Sequence, residues 1–252
     1  MYDLIIFGGQ SNMQGQTEGN PNDMPVANAK EYLLLSDSFK ELKNPVGEDI
    51  GELLLASHMG GGSLVPYFAQ EYVKGTGRSV VAVHAAKGAT TIKQWLKNTA
   101  EGGERYKKAV EKMLAAKTKI LAEGGKIGNI LYVWLQGESD ALAKTSGEEY
   151  REMLLRFKND LKQDVGIDKF GIIEVGYFSY VCEMDNALDE AIQSAQVSLC
   201  NSDSDFVYLT GKAKELSLKQ DWLNPEAPGH FSNKAMREIG ESAGMAASKI
   251  KF

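Results

Sequence analysis

Apolar and β-branched residues gather in five short runs, Asp3–Phe7, Ser79–His84, Asn129–Leu135, Gly171–Val175 and Phe206–Leu209, which read as strands. Between them lie segments with helical periodicity: Gly103–Ala122, Gly147–Lys162, Asp185–Leu199 and Asn233–Lys249. Leu154, Phe157, Lys158 and Leu161 show the i, i+3, i+4, i+7 spacing of one buried helix face. Strands that alternate with helices predict an α/β protein with a parallel sheet covered on both faces. With no internal repeat and no low-complexity linker, residues 1–252 read as a single domain. Residues 17–62 break the pattern. Gly19, Asn20, Pro21, Asn22, Pro25, Asn44, Pro45 and the run Gly60-Gly61-Gly62 leave little periodicity there. A segment of that kind is either a binding loop at the substrate rim or a packed structural excursion.

Composition narrows the function classes. Hydrophobic residues make up 43% and charged residues 25% of the chain, an ordinary globular profile. A formal net charge of −6 argues against nucleic acid, whose phosphates require a basic face. The lysines between Lys107 and Lys126 are interleaved with Glu111 and Glu123 and read as a solvated helix face. Two cysteines, Cys182 and Cys200, form neither a CxxC pair nor a disulfide framework. The apolar stretch Leu4–Phe7 is too short for a signal segment, and no run approaches the ~20 apolar residues of a membrane span, so the expected location is cytoplasmic. No HExxH or paired-cysteine pattern points to a catalytic metal.

Unusual residues collect where strands end. The first strand runs into Gly8-Gly9-Gln10-Ser11-Asn12-Met13-Gln14-Gly15, the second into Ala85-Ala86-Lys87-Gly88-Ala89, and the third into Gln136-Gly137-Glu138-Ser139-Asp140. The fifth leads through a long loop to Gly229-His230-Phe231-Ser232. Ligands of doubly wound sheets bind beyond these carboxyl ends. Ser11, on a glycine-flanked turn, is the candidate nucleophile, and a serine hydroxyl needs a base to take its proton. His230 is the candidate base. The backbone N–H groups of Ser11 and Gly88 and the amide of Gln136 are candidate oxyanion donors. Phosphate binding is disfavoured, since neither GxxxxGK[ST] nor GxGxxG occurs, and Gly9-Gln10-Ser11-Asn12-Met13 is not a G-x-S-x-G elbow.

Gly9-Gln10-Ser11-Asn12-Met13-Gln14-Gly15 resembles the nucleophile block of SGNH hydrolases, in particular the sialate O-acetylesterases and acetylxylan esterases of carbohydrate esterase family 6. Trp134-Leu135-Gln136-Gly137-Glu138-Ser139-Asp140 is similar to the third block of that branch, and His230-Phe231-Ser232 to the final one. Gly62-Ser63-Leu64, Phe68-Ala69, Lys87-Gly88-Ala89 and Trp95 fit the stretch between. The resemblance implies a three-layer α/β/α sandwich, deacetylation of a small-molecule or oligosaccharide acetyl ester, and no cofactor. The expected sheet is flavodoxin-like, with five parallel strands in the order 2-1-3-4-5. Ser11 and the Gln136 loop then meet at the switch point.

Where the family commonly has an aspartate, three residues before the histidine, this chain has Ala227. The carboxylate that orients His230 then comes from elsewhere: Glu138 first, Asp221 and Glu226 next. A serine–histidine dyad aided by a backbone carbonyl is the further alternative. Glu138 also has a structural reading, in which it ties loops together, and Asp140 is expected in that part. His84 reads as a satisfied, partly buried residue, and His58 has little support. Trp134 reads as core; Trp95 and Trp222 are either sugar platforms or core. Two rival functions stand beside the esterase: a non-catalytic carbohydrate-binding protein on the same fold, and another SGNH activity such as a lipase or thioesterase.

Overall fold

A computed structural model describes residues 1–51, 53–54 and 61–252. Among them seven strands form one sheet: β1 (Tyr2–Gly9), β2 (Ala29–Leu33), β3 (Ser38–Glu41), β4 (Ser79–Ala86), β5 (Ile127–Leu135), β6 (Lys169–Ile173) and β7 (Phe206–Thr210), in the order β3-β2-β4-β1-β5-β6-β7. The five expected strands are β1, β4, β5, β6 and β7, and their order is the 2-1-3-4-5 order expected. The correction is at one edge, where β2 adds parallel to β4 and β3 returns antiparallel to β2. Part of the irregular segment is therefore sheet. Its strands carry Lys30, Glu31, Lys40 and Glu41, which hide the apolar period and blunt an edge against further pairing.

Strand β1 is apolar from Leu4 to Phe7 because it is paired on both sides and covered on both faces, and its one charged residue, Asp3, is buried against Arg78 and Tyr72. Its side chains divide by the two-residue period. Leu4 and Ile6 enter one core with Val81, Val83, Tyr132 and Trp134, whereas Ile5 and Phe7 enter the other with Val80, Ala82, Leu131 and Val133. The first core is closed by α3 (Gly103–Ala122), α5 (Gly147–Asp164) and α6 (Ala187–Ser202), through Met113, Phe157 and Leu199. The second is closed by α2 (Val65–Thr76), the short α7 (Lys212–Leu216) and α8 (Asn233–Ala247), through Phe68, Leu216 and Ile239. Two one-turn helices, α1 (Ser11–Gln14) and α4 (Glu138–Leu142), begin directly after β1 and β5. The result is the expected three-layer sandwich, with its short helices at the carboxyl ends of the central strands.

Candidate active site

Ser11 is the first residue of α1, where a backbone N–H has no partner within its own helix. Two glycines create this turn. Gly9 has φ +146, and a side chain there would strike the Leu135 carbonyl; Gly15 has φ +89, and one there would strike the Gly62 carbonyl. Gln10 locks the turn to the next loop, since its Oε1 accepts from Gln136 Nε2 (3.2 Å) and from the N–H groups of Ser139 (3.1 Å) and Gly137 (3.4 Å). Beneath it, His84 Nε2 donates to the Met13 carbonyl at 3.2 Å, the only role open to it there because a carbonyl only accepts. Burial pushes His84 down to about 4, so it stays neutral and structural.

The loop after β5 is tied more tightly than its role as a donor would allow. Gln136 is 0% exposed and does not line the cleft. Its Nε2 donates to Asp140 Oδ2 (2.6 Å) and Thr90 O (2.8 Å) as well as Gln10, while Oε1 accepts from Tyr150 OH at 3.0 Å. The expectation that Gln136 donates to the oxyanion is corrected: both ends of the amide are engaged in a buried knot between loops. Asp140, also 0% exposed, belongs to that knot and accepts from Ile92 N at 2.9 Å. Gly88 does line the cleft, but its N–H donates to Gln14 Oε1 at 2.6 Å. Of the three foreseen donors, only the Ser11 N–H is uncommitted among the described residues.

His230 sits on a loop that is folded on itself. Asn224 N donates to His230 O (2.7 Å), His230 N to Ala227 O (3.0 Å), and Asn224 Oδ1 accepts from Glu226 N (2.9 Å). Asn224 Nδ2 reaches across to Gln16 O at 2.9 Å and joins this loop to the segment that carries Ser11. The His230 ring is fixed by two contacts. Nδ1 lies 3.2 Å from Pro228 O, which makes Nδ1 the protonated nitrogen and leaves Nε2 as the basic one. The Phe178 ring meets it edge-on, with centroids 5.7 Å apart. Asp189 holds Phe178 in place by accepting from the N–H groups of Phe178 (3.2 Å) and Ser179 (3.1 Å). Gly229, at φ +77, is required because any side chain there would run into the Phe178 ring. Desolvation lowers the pKa of His230 below its ordinary value.

Among the described residues no carboxylate comes within hydrogen-bond or ion-pair distance of that ring. This corrects all three proposed acids. Glu138 Oε1 accepts instead from Asn12 Nδ2 at 2.8 Å. Asp221 pairs with Lys234 at 3.1 Å on the surface, and Glu226 is exposed. The acceptor beside Nδ1 is the Pro228 carbonyl instead. Trp95 is core, 0% exposed and edge-on to Trp134, while Trp222 carries the Lys234 ammonium 4.5 Å from its ring centre; neither lines the cleft. His58 and Gly60 lie outside the described residues.

The cleft itself has a volume of about 380 Å³, and Ser11, Lys87, Gly88, Leu142, Phe178 and His230 contribute to its wall. A larger groove of about 590 Å³, near Tyr2, Lys30 and Phe39, lies at the opposite end of the strands and contains no histidine. Asn12, Asn224 and Phe178 were not foreseen as parts of the site. Asn12 lies within the Gly9–Gly15 motif, but Asn224 and Phe178 are joined to His230 only by the fold.

A serine on the turn after the first strand and a histidine before the last helix thus line the same cleft at the carboxyl ends of the central strands. Residues 1–249 match the carbohydrate esterase, sialic acid-specific acetylesterase family, and the chain belongs to it. It is 30% identical over 164 residues to a probable carbohydrate esterase of Arabidopsis thaliana, an alignment covering 65% of this chain and 54% of that protein. It thus spans about half the length of that curated relative. An Arabidopsis thaliana crystal structure superposes with a TM-score of 0.70 at 19% identity, covering 99% of each chain. A carbohydrate acetylesterase of Xanthomonas citri matches with a TM-score of 0.60 at 17% identity, over 97% of this chain and 55% of that one. A mutant acetyl-xylooligosaccharide esterase from Geobacillus stearothermophilus gives 0.52 at 10% identity, over 99% and 95%. Among the described residues no helix is long and apolar enough to cross a membrane.

Proposed function

We propose that this protein is a serine esterase that removes acetyl groups from a carbohydrate, with Ser11 as nucleophile and His230 as base. The observation that carries the reading is the shared cleft: Ser11 and His230 line it together, and Pro228 O holds the Nδ1 proton so that Nε2 remains basic. His230 Nε2 takes the proton of Ser11 Oγ as that oxygen attacks the acetyl carbonyl. The tetrahedral oxyanion is placed against the Ser11 N–H. His230 then returns the proton to the sugar oxygen, which leaves as the alcohol. Water, deprotonated by the same imidazole, hydrolyses the acyl-enzyme and releases acetate.

The acetyl preference is supported by the family, by the modest cleft, and by the activities that the Xanthomonas citri and Geobacillus stearothermophilus proteins are named for. Hydrolysis rates on acetylated xylan, O-acetylated sialic acid and 4-nitrophenyl esters of two to eight carbons test it. The expected result is activity confined to the shortest acyl chain; faster turnover of the octanoate makes it a lipase or thioesterase instead. A second reading, a binding protein without turnover, is favoured by one observation, the absence of a carboxylate at Ala227. A fluorophosphonate that modifies Ser11 excludes it.

A further inference from the structure

The two ends of the Asn12 amide face opposite partners. Nδ2 donates to Glu138 Oε1 at 2.8 Å, and Oδ1 accepts from Phe231 N at 3.3 Å. Asn12 and Glu138 are each 2% exposed, so bulk water does not compete for these bonds. The nucleophile turn, the loop after β5 and the peptide that follows the base therefore meet at one side chain. The sense of that amide matters. Flipped, it would set two donors together at Phe231 and two acceptors together at Glu138. A glutamine at 138 could present either of its own ends to Asn12, whereas Oε1 of the carboxyl accepts from Asn12 Nδ2 whether or not Oε2 carries a proton. We propose that Glu138 and Asn12 are positioning residues for the base: Glu138 fixes the sense of the Asn12 amide, and Asn12 holds the Phe231 peptide and with it His230 at the cleft.

The proposal rests on the reading of His230 as the base. It also gives a use to a carboxyl whose burial is otherwise unfavourable. Glu138 Oε2 has no hydrogen-bond partner among the described residues, and no ion pair reaches the group. Desolvation pushes Glu138 up to about 7, against the Asn12 hydrogen bond, and the carboxylates of Asp189 on α6 and Asp140 on α4 face it in the same direction. A carboxyl in such surroundings destabilises the fold as it ionises.

The test uses the full chain, with thermal unfolding recorded for every variant. Asn12→Ala should lower kcat on the order of 10- to 100-fold with KM changed less than about threefold, the signature of a misplaced catalytic group. Asn12→Asp sets two carboxyl groups against each other and should lose as much. The double variant Asn12→Asp with Glu138→Gln reverses the polarity of the connection. Its glutamine donates to one aspartate oxygen while the other accepts from Phe231 N–H, so kcat should recover about tenfold over Asn12→Asp. The Phe231 amide resonance should move in Asn12→Ala and return toward its original position in the double variant. A double variant no better than Asn12→Asp overturns the proposal, as does an unmoved Phe231 amide in Asn12→Ala. If the wild-type protein neither hydrolyses acetyl esters nor reacts with a fluorophosphonate at Ser11, the esterase reading fails. The Phe231 resonance then decides the relay by itself.

Discussion

The two halves of the candidate active site are held in place by different means. Ser11 follows a strand hydrogen-bonded on both sides, and its turn is set by backbone: Gln10 N donates to Leu135 O at 3.2 Å and Gly15 N to Ser11 O at 3.0 Å. His230 follows no strand directly. Its loop is closed by bonds within residues 224–230, and its ring rests on a backbone carbonyl and a phenyl edge. Ser11 is thus placed by the same pairing that makes the sheet, and His230 by loop contacts that single substitutions can alter. Changes near Ser11 should therefore abolish chemistry or weaken folding, whereas changes near His230 should tune the rate.

The largest effect tests the rigid half. Ser11→Ala should reduce ester hydrolysis by about 10⁴-fold or more, comparable to loss of the nucleophile in other serine hydrolases, while thermal unfolding stays near wild type. Residual activity above a few per cent would assign the nucleophile elsewhere. His230→Ala should cost nearly as much, because the two residues act as a unit.

Gln136→Ala tests the same half at the level of folding. Removing this amide takes one hydrogen bond from the Asp140 carboxylate and one from the Tyr150 hydroxyl, both without exposure to solvent, while Asp140 keeps Ile92 N and Tyr150 keeps Trp134 Nε1 and Gln196 Nε2. Each buried hydrogen bond lost costs roughly 0.5–1.5 kcal/mol, so a loss of about 1–3 kcal/mol is expected in denaturant unfolding. Activity per folded molecule should fall only through loosening of the loops. A kcat loss of 100-fold with unchanged stability would instead restore Gln136 as an oxyanion donor.

This contrast also explains how much was legible in the sequence. The five parallel strands carry their own signal, because a strand buried on both faces must be apolar along its length. Ser11 was legible for a related reason: Gly9 and Gly15 mark backbone that only glycine adopts easily. The β2–β3 hairpin was hidden by its charged edge residues, among them Glu31, which is fully buried yet paired to Lys40 at 3.1 Å. Gln136 and Glu138 were found but misassigned. Their residue types suit an oxyanion donor and an orienting acid, and only three-dimensional packing shows Thr90, Asp140, Tyr150 and Asn12 occupying their atoms. Phe178 could not be found at all, since nothing local marks a phenylalanine after β6 as the neighbour of a histidine 52 positions later.

The last and smallest expected effect tests the tunable half by adding what it lacks. With a carbonyl rather than a carboxylate on Nδ1, the imidazolium formed during attack has no anion to stabilise it. In a serine protease the orienting aspartate is worth about 10⁴-fold in kcat, so restoring part of that contribution should be measurable. Ala227 is three residues before His230 and in the same turn, through the 3.0 Å bond from His230 N to Ala227 O. Ala227→Asp should bring a charged acceptor to the Nδ1 proton in competition with Pro228 O, and charge-assisted hydrogen bonds are the stronger kind. We expect kcat to rise about tenfold. The sign of the pH effect follows from the same change. As the proposed base, His230 works in its neutral form, so activity should be lost as pH falls through its folded pKa, which desolvation holds below the ordinary histidine value. A neighbouring carboxylate favours the imidazolium and raises that pKa, so the acid limb of kcat/KM should move to higher pH even as the plateau rises. Unchanged kcat and an unmoved limb would mean that Phe178 and the Pro228 carbonyl hold the ring too firmly for a new partner to capture it. In that case Phe178→Ala combined with Ala227→Asp should release the shift.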